Sequence, residues 1–232
     1  RIGVRHAEDG GPGMVPGAVQ EALKRLIAFE IQFGPFAVAQ LRMLAEIAEL
    51  TAKGPEEEID ATLRLYVADT LADPDEETAW IPTHLGAIAE SRKQANAIKR
   101  KEPITVVIGN PPYKVEAKGL GGWVEDRGEL PAPLDDWMPP PEWGVGANAK
   151  HLYNLYVYFW RWAAWKVFGG DAFRSGTDKS EAKWTNRRGI VCFITVAGFL
   201  NGPGFQKMRA DLRRDADEIW VIDARLKDFS RQ

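Results

Sequence analysis

Continuous apolar runs alternate with helically spaced ones along this chain. LIAFEI (26–31), LRLYVAD (63–69), ITVVIG (104–109), GIVCFIT (189–195) and EIWVIDA (218–224) are short and rich in β-branched and aromatic residues. Their apolar positions are consecutive, the pattern of strands buried on both faces in a parallel sheet. Between them, PFAVAQLRMLAEIAEL (35–50), HLGAIAESRKQANAIKRK (84–101), HLYNLYVYFWRWAAWKVF (151–168) and PGFQKMRADLRRDA (203–216) carry apolar residues at helical spacing. Pro35 suits a first helical turn. This alternation predicts an α/β doubly wound fold, mainly parallel, with helices on both faces. Residues 114–150, dense in Gly and Pro, and 169–188 show no periodicity. A connection as long as the first is expected to be functional or mobile, and we expect a flexible lid that orders when substrate arrives.

Composition narrows the class. The 232 residues carry a formal net charge of -3, so charge gives this piece no reason to grip nucleic acid or an anionic membrane. The single cysteine, Cys192, lies within IVCFIT and is expected to be a buried small hydrophobe. One cysteine excludes a disulfide within the chain and fits a cytoplasmic location. The uncharged stretch Leu152–Trp160 falls short of the roughly 20 residues of a membrane span, and Arg161 and Lys166 follow it. That helix reads as core, with Tyr153 and Tyr156 as outside candidates for lining a base pocket. The opening RIGVRHAEDGGPG is polar, unlike a signal peptide, and has no initiating Met, so the chain is expected to be a piece of something longer. His6, His84 and His151 are scattered, and no metal site is expected.

In open α/β sheets, ligands bind beyond the carboxyl ends of the strands. Three predicted strands end there in chemistry: Phe29-Glu30, Asp69-Thr70 and Asn110-Pro111-Pro112-Tyr113. Glu30 can accept both hydroxyls of a ribose, or serve as a carboxylate at the N-terminus of the next helix. Asp69 can accept from an adenine amino group, or cap the following turn. Two adjacent prolines cannot continue a buried strand, so the chain leaves the sheet in a stiff loop. A nucleobase amine is a poor nucleophile because its lone pair is delocalised. Acceptors on its two protons, such as the Asn110 side-chain oxygen and the Pro111 carbonyl, draw the nitrogen toward tetrahedral geometry. Rigid prolines hold those acceptors in place beforehand. Tyr113 offers a face on which a base stacks, worth about 1–3 kcal/mol. Arg92, Lys93, Lys99, Arg100 and Lys101 read as the solvated face and basic end of a helix, with DNA phosphate contact as the rival reading.

NPPY after an apolar strand resembles the catalytic motif of S-adenosylmethionine-dependent amino-methyltransferases, above all the DNA adenine-N6 enzymes. Protein-glutamine methyltransferases share the tetrapeptide. The flanks FEIQFGPFAVAQLRM, LRLYVADTL, EPITVVIGNPPYKV, HLYNLYVYFWRWAAWKVF and GIVCFITVAGFLNGPGFQKMR, in this order, resemble the methyltransferase region of type I single-polypeptide (type ISP) restriction–modification enzymes. The resemblance implies a Rossmann-like methyltransferase fold and transfer of a methyl group from S-adenosylmethionine to adenine N6 in DNA. It implies that Glu30 holds the cofactor ribose, that Asp69 meets its adenine, and that Phe29 and Pro35 line its pocket. Asn110, Pro111, Pro112 and Tyr113 would form the catalytic loop. Residues 1–232 would then be a partial catalytic domain without a target-recognition domain. Double-stranded DNA would be bound through regions outside this chain, in a parent that carries helicase, nuclease and recognition regions. The family's Gly-rich cofactor loop has no match before Glu30, because AEDGGPGMVPG (7–17) follows no apolar strand. The expectation is therefore a sheet lacking its first, central strand and its last one, split in two, with an incomplete cofactor pocket. The rival readings are a protein-glutamine or RNA amino-methyltransferase, and a catalytically incompetent fragment.

Overall fold

The computed structural model describes residues 9–51, 62–75, 86–169 and 188–223. The chain divides into two units, Arg1–Glu102 and Pro103–Gln232. Its strands form two separate parallel pairs rather than one sheet.

In the first unit the order is α1 (Val15–Arg25), β1 (Ile27–Glu30), α2 (Phe33–Thr51), β2 (Arg64–Val67) and α3 (Gly86–Lys101). Pro16 in the first turn pre-sets α1, and Lys24 and Arg25 at its end complement the helix dipole. Val15, Val19 and Leu23 recur every four residues and form a buried stripe against Met43, Ile47 and Leu50 of α2 and Leu63. Each such side chain contributes about 1.5–3 kcal/mol on burial. β1 and β2 pair in parallel, Phe29 opposite Tyr66 and Glu30 opposite Val67. Helices α2 and α3 both pack on this pair. On α3 the Ser91 hydroxyl accepts the Val67 N–H at 2.7 Å. Residues 84 and 85, at the predicted start of α3, lie outside the described residues.

The second unit begins with β3 (Val106–Gly109) and continues through short 3-10 turns, at Gly122–Val124, Pro133–Trp137, Pro141–Trp143 and Gly146–Leu152. Then come α4 (Leu155–Phe168), β4 (Ile190–Phe193), α5 (Gly198–Asn201) and α6 (Gln206–Asp215). β3 and β4 pair in parallel, Val106 opposite Ile190 and Ile108 opposite Cys192. Gly189 lets the strands close: a Cβ there would lie 2.5 Å from the Thr105 carbonyl oxygen, which accepts the Ile190 N–H at 2.8 Å. Trp160 of α4 packs edge-on against Phe193, ring centroids 5.0 Å apart, and covers one face of the pair.

Three expectations are corrected here. The other face of the β3–β4 pair is uncovered, with Ile108 73% exposed, so strand burial on both faces does not hold. Cys192 stands on that face and is exposed rather than buried, because it occupies the alternate position opposite Ile108. Residues 218–223 belong to no strand, and Trp220 is 83% exposed.

The fourth correction concerns 114–150. Ala117, Trp123, Val124, Leu134 and Trp137 are buried, so the segment carries its own core. Trp123 packs edge-on against Trp165 of α4 at 4.7 Å. Arg161 of α4, itself buried, donates from Nε to the Pro133 carbonyl at 2.7 Å and pairs with Asp136. Burial pushes the Asp136 carboxyl up and holds the Arg161 guanidinium down, and each partner opposes the other's shift. An unliganded flexible lid is not what this packing describes.

Candidate functional site

At the carboxyl end of the β1–β2 pair stand the two candidate cofactor carboxylates. Both are partly buried, and each is engaged by its own turn. Glu30 Oε1 accepts the Gln32 N–H at 2.8 Å, at the entry to α2. Asp69 Oδ1 accepts the Leu71 N–H at 2.9 Å, the turn-capping geometry. A carboxylate has two oxygens with about four acceptor positions, so one N–H apiece leaves capacity on both for hydroxyl or amino donors. Phe29, half-buried, lies 6.1 Å from the Tyr66 ring; Pro35 is exposed in the first turn of α2. These acceptors and the ring fit the nucleoside part of S-adenosylmethionine in chemical type.

Sequence reasoning missed Lys99. Placed by its spacing on a solvated helical face, it is 1% exposed instead. Its ammonium donates to the Asp69 carbonyl at 2.6 Å and to the Ala72 carbonyl at 3.2 Å, and sits 5.9 Å from the centre of the Phe29 ring. It therefore fixes the turn that carries Asp69. Arg100 donates to the Pro74 carbonyl and lies 3.8 Å from Asp75. Arg92, Lys93 and Lys101 are exposed. The signal available was two consecutive cations where a helix returns beside the end of a strand.

In the second unit Asn110-Pro111-Pro112-Tyr113 follows β3 directly. Pro111 is buried, and Asn110, Pro112 and Tyr113 are exposed, Tyr113 by 44%. The Ile194 N–H donates to the Gly109 carbonyl at 3.0 Å, which sets the end of β4 beside the start of this loop. The Tyr113 hydroxyl reaches Asn110 Oδ1, and it lies 3.1 Å from the Ile194 carbonyl oxygen. Beyond the loop, the Lys114 carbonyl accepts the Leu155 N–H at 3.1 Å, and the Ala117 N–H donates to the Tyr153 carbonyl at 2.9 Å. Both ends of the loop are thus fixed by neighbouring backbone, and Asn110 itself is exposed. Tyr156 is buried beside Phe205, a core residue, whereas Tyr153 is half-exposed under Lys118.

Among the described residues there is no cluster of three or more His, Cys, Asp or Glu side chains able to hold a metal ion. Among the same residues no helix is long and apolar enough to cross a membrane.

No protein-family model matches the chain, and no curated protein does. Solved structures match its fold. One is an ATP-dependent type ISP restriction–modification enzyme, LlaBIII, bound to DNA, at a TM-score of 0.60 and 20% identity. The match covers 90% of this chain and 12% of that one. Another is a cryo-EM structure of a DrdV–DNA complex, at a TM-score of 0.54 and 19% identity, covering 88% of this chain and 18% of that one. At this identity the likeness establishes a shared α/β fold. The chain spans under a fifth of the length of either neighbour.

Proposed function

We propose that this chain is part of a restriction–modification protein and carries the adenine-N6 methyltransferase chemistry of a Rossmann-like domain. One observation carries the reading. A stiff Asn-Pro-Pro-Tyr loop leaves the carboxyl end of a parallel strand with Asn110 and Tyr113 exposed and its two flanks tied by backbone hydrogen bonds. The fold shared with a DNA-bound type ISP enzyme favours DNA over protein as the substrate.

S-adenosylmethionine, when bound, supplies an electrophilic methyl group. Glu30 would accept from the ribose hydroxyls, Asp69 from the adenine amine, and Phe29 and Pro35 would flank the nucleoside. Lys99 would keep Asp69 in place. The target adenine leaves the duplex at a cost of a few kcal/mol. Its ring stacks on Tyr113. The Asn110 oxygen would accept one proton of the amine and the Pro111 carbonyl the other, so that the nitrogen lone pair is freed from the ring. Preorganised acceptors of this kind lower a barrier because they need no rearrangement during the reaction. Contacts to duplex DNA outside the flipped base would come from other regions of the protein.

The intact protein, given radiolabelled S-adenosylmethionine and either duplex DNA or protein, tests this. Label in DNA, recovered as N6-methyladenine by mass spectrometry, is the expected result. Label in protein alone, or none in either, contradicts it.

A further inference from the structure

The 114–150 segment has more acids than bases, seven against four, and by charge alone suits DNA poorly. The structure separates the two signs. Glu125 accepts the Gly119 N–H at 2.8 Å and the Gly121 N–H at 2.9 Å. Asp126 accepts the Gly128 N–H at 2.7 Å, Asp135 accepts the Ala132 N–H at 2.8 Å, and Asp136 pairs with buried Arg161. These acids hold the segment's own turns. The lysines do not. Lys166 of the second unit is buried, and Lys207 pairs with Asp211 at 2.6 Å. Lys114, Lys118 and Lys150 are exposed, and none of the three forms an ion pair among the described residues.

Two adjoining stretches carry these lysines. Leu155 and Ala117 tie 114–118 to 153–155 by the backbone bonds already described, and the Tyr153 N–H donates to the Lys150 carbonyl at 3.2 Å. The Lys118 ammonium lies 5.3 Å from the centre of the Tyr153 ring, a cation–π contact that bridges the two stretches. Between Lys114 and Lys118, exposed Glu116 takes a φ of 53°, uncommon for a residue with a side chain, and turns the chain sharply. Lys114 directly follows Tyr113, so the cations begin where the base-binding loop ends.

We propose that Lys114, Lys118 and Lys150 bind the backbone of the extruded nucleotide, at the phosphates on either side of the target adenosine. This rests on the reading of Asn110 and Tyr113 as the base-binding loop. It goes further in giving this chain the flipped nucleotide's own phosphates, while the paired duplex stays with other regions. An ammonium is a compact point charge that meets a phosphate oxygen from many directions. Such contacts fix register without reading sequence, and register is what a base stacked on Tyr113 requires.

The test uses the intact protein and a duplex oligonucleotide centred on an adenine that it methylates. Dissociation constants are measured between about 50 and 200 mM NaCl. Exposed lysines can be replaced without unfolding the protein. Lys118→Ala and Lys150→Ala should each weaken binding and lower the slope of log Kd against log salt by about 0.7–0.9, the loss of one phosphate contact. In a twin duplex, neutral methylphosphonates replace the two phosphates flanking the target adenosine. There the same substitutions should cost nothing further, because their partners are already uncharged. Full losses on the twin place the lysines on other phosphates and overturn the proposal. If no DNA adenine is methylated, the reading of the loop fails and takes this proposal with it. If Asn110→Ala abolishes methylation while the lysine variants bind as wild type at every salt concentration, only the proposal fails.

Discussion

The Lys99 ammonium lies 2.6 Å from the backbone carbonyl oxygen of Asp69, thirty residues away in sequence, and is almost wholly buried there. A buried cation is retained where its donors are used, and here they hold the turn that presents a candidate cofactor carboxylate.

Lys99→Met keeps the apolar stem and removes those donors. Two partly buried carbonyls then lose a charged partner, which costs about 1–3 kcal/mol. Urea unfolding should show that loss, and titration with S-adenosylmethionine should show weaker binding. Unchanged cofactor affinity alongside lower stability would make Lys99 purely structural.

Gly189→Ala places a methyl group 2.5 Å from the Thr105 carbonyl oxygen and 2.4 Å from a Val167 methyl carbon. Backbone cannot yield as a flexible side chain does, so the β3–β4 pair should open at a cost of about 1–3 kcal/mol. Gly146→Ala, with nothing within 4 Å of its Cβ position, should stay within about 0.5 kcal/mol of wild type. Denaturation midpoints of the two variants check the contrast.

The 114–150 segment should already be protected in the free chain. The Val124 N–H donates to Gly121 at 3.1 Å and the Asp135 N–H to Ala132 at 3.0 Å, over buried Trp123, Leu134 and Trp137. Hydrogen exchange at these amides should be slow without DNA, and Trp137→Ala should cost about 3–5 kcal/mol. Fast exchange that slows only on adding DNA would restore a lid.

Asp136 supplies a pH test. Burial, opposed by Arg161, raises its carboxyl above the ordinary 3.8. A raised acid favours folding while protonated: its contribution is complete below the unfolded value and is lost as pH climbs through the folded one. The stability of wild type relative to Asp136→Asn should therefore fall as pH rises from about 3 through the carboxylate range. Thermal melts across that range measure the difference, and a rising trend contradicts the assignment.

Much of the fold was legible in local pattern. Four of the apolar runs became strands within two or three residues of the expected bounds, and α2 and α4 lie where helical spacing put them. What failed was inference about cover. A consecutive apolar run says that both faces of a strand are apolar, not that this chain buries both, and Ile108 and Cys192 are the result. The 3-10 turns of 114–150 have no period to read, because Trp123 packs on Trp165 and Trp137 under Arg161, both on α4 and far along the chain. For the site, Asn110 and Tyr113 were visible as residues, whereas the Ile194 carbonyl was not. It stands 81 positions from Tyr113, and a backbone oxygen leaves no mark in a sequence.

The central claim is that the Asn110 oxygen activates an adenine amine. Methyl transfer from radiolabelled S-adenosylmethionine to duplex DNA, compared between the intact wild-type protein and Asn110→Ala, tests it most directly. The account predicts a rate about 10²–10³-fold lower with cofactor affinity unchanged, the effect of removing one preorganised group. Methylation of adenine at the wild-type rate by Asn110→Ala would contradict it.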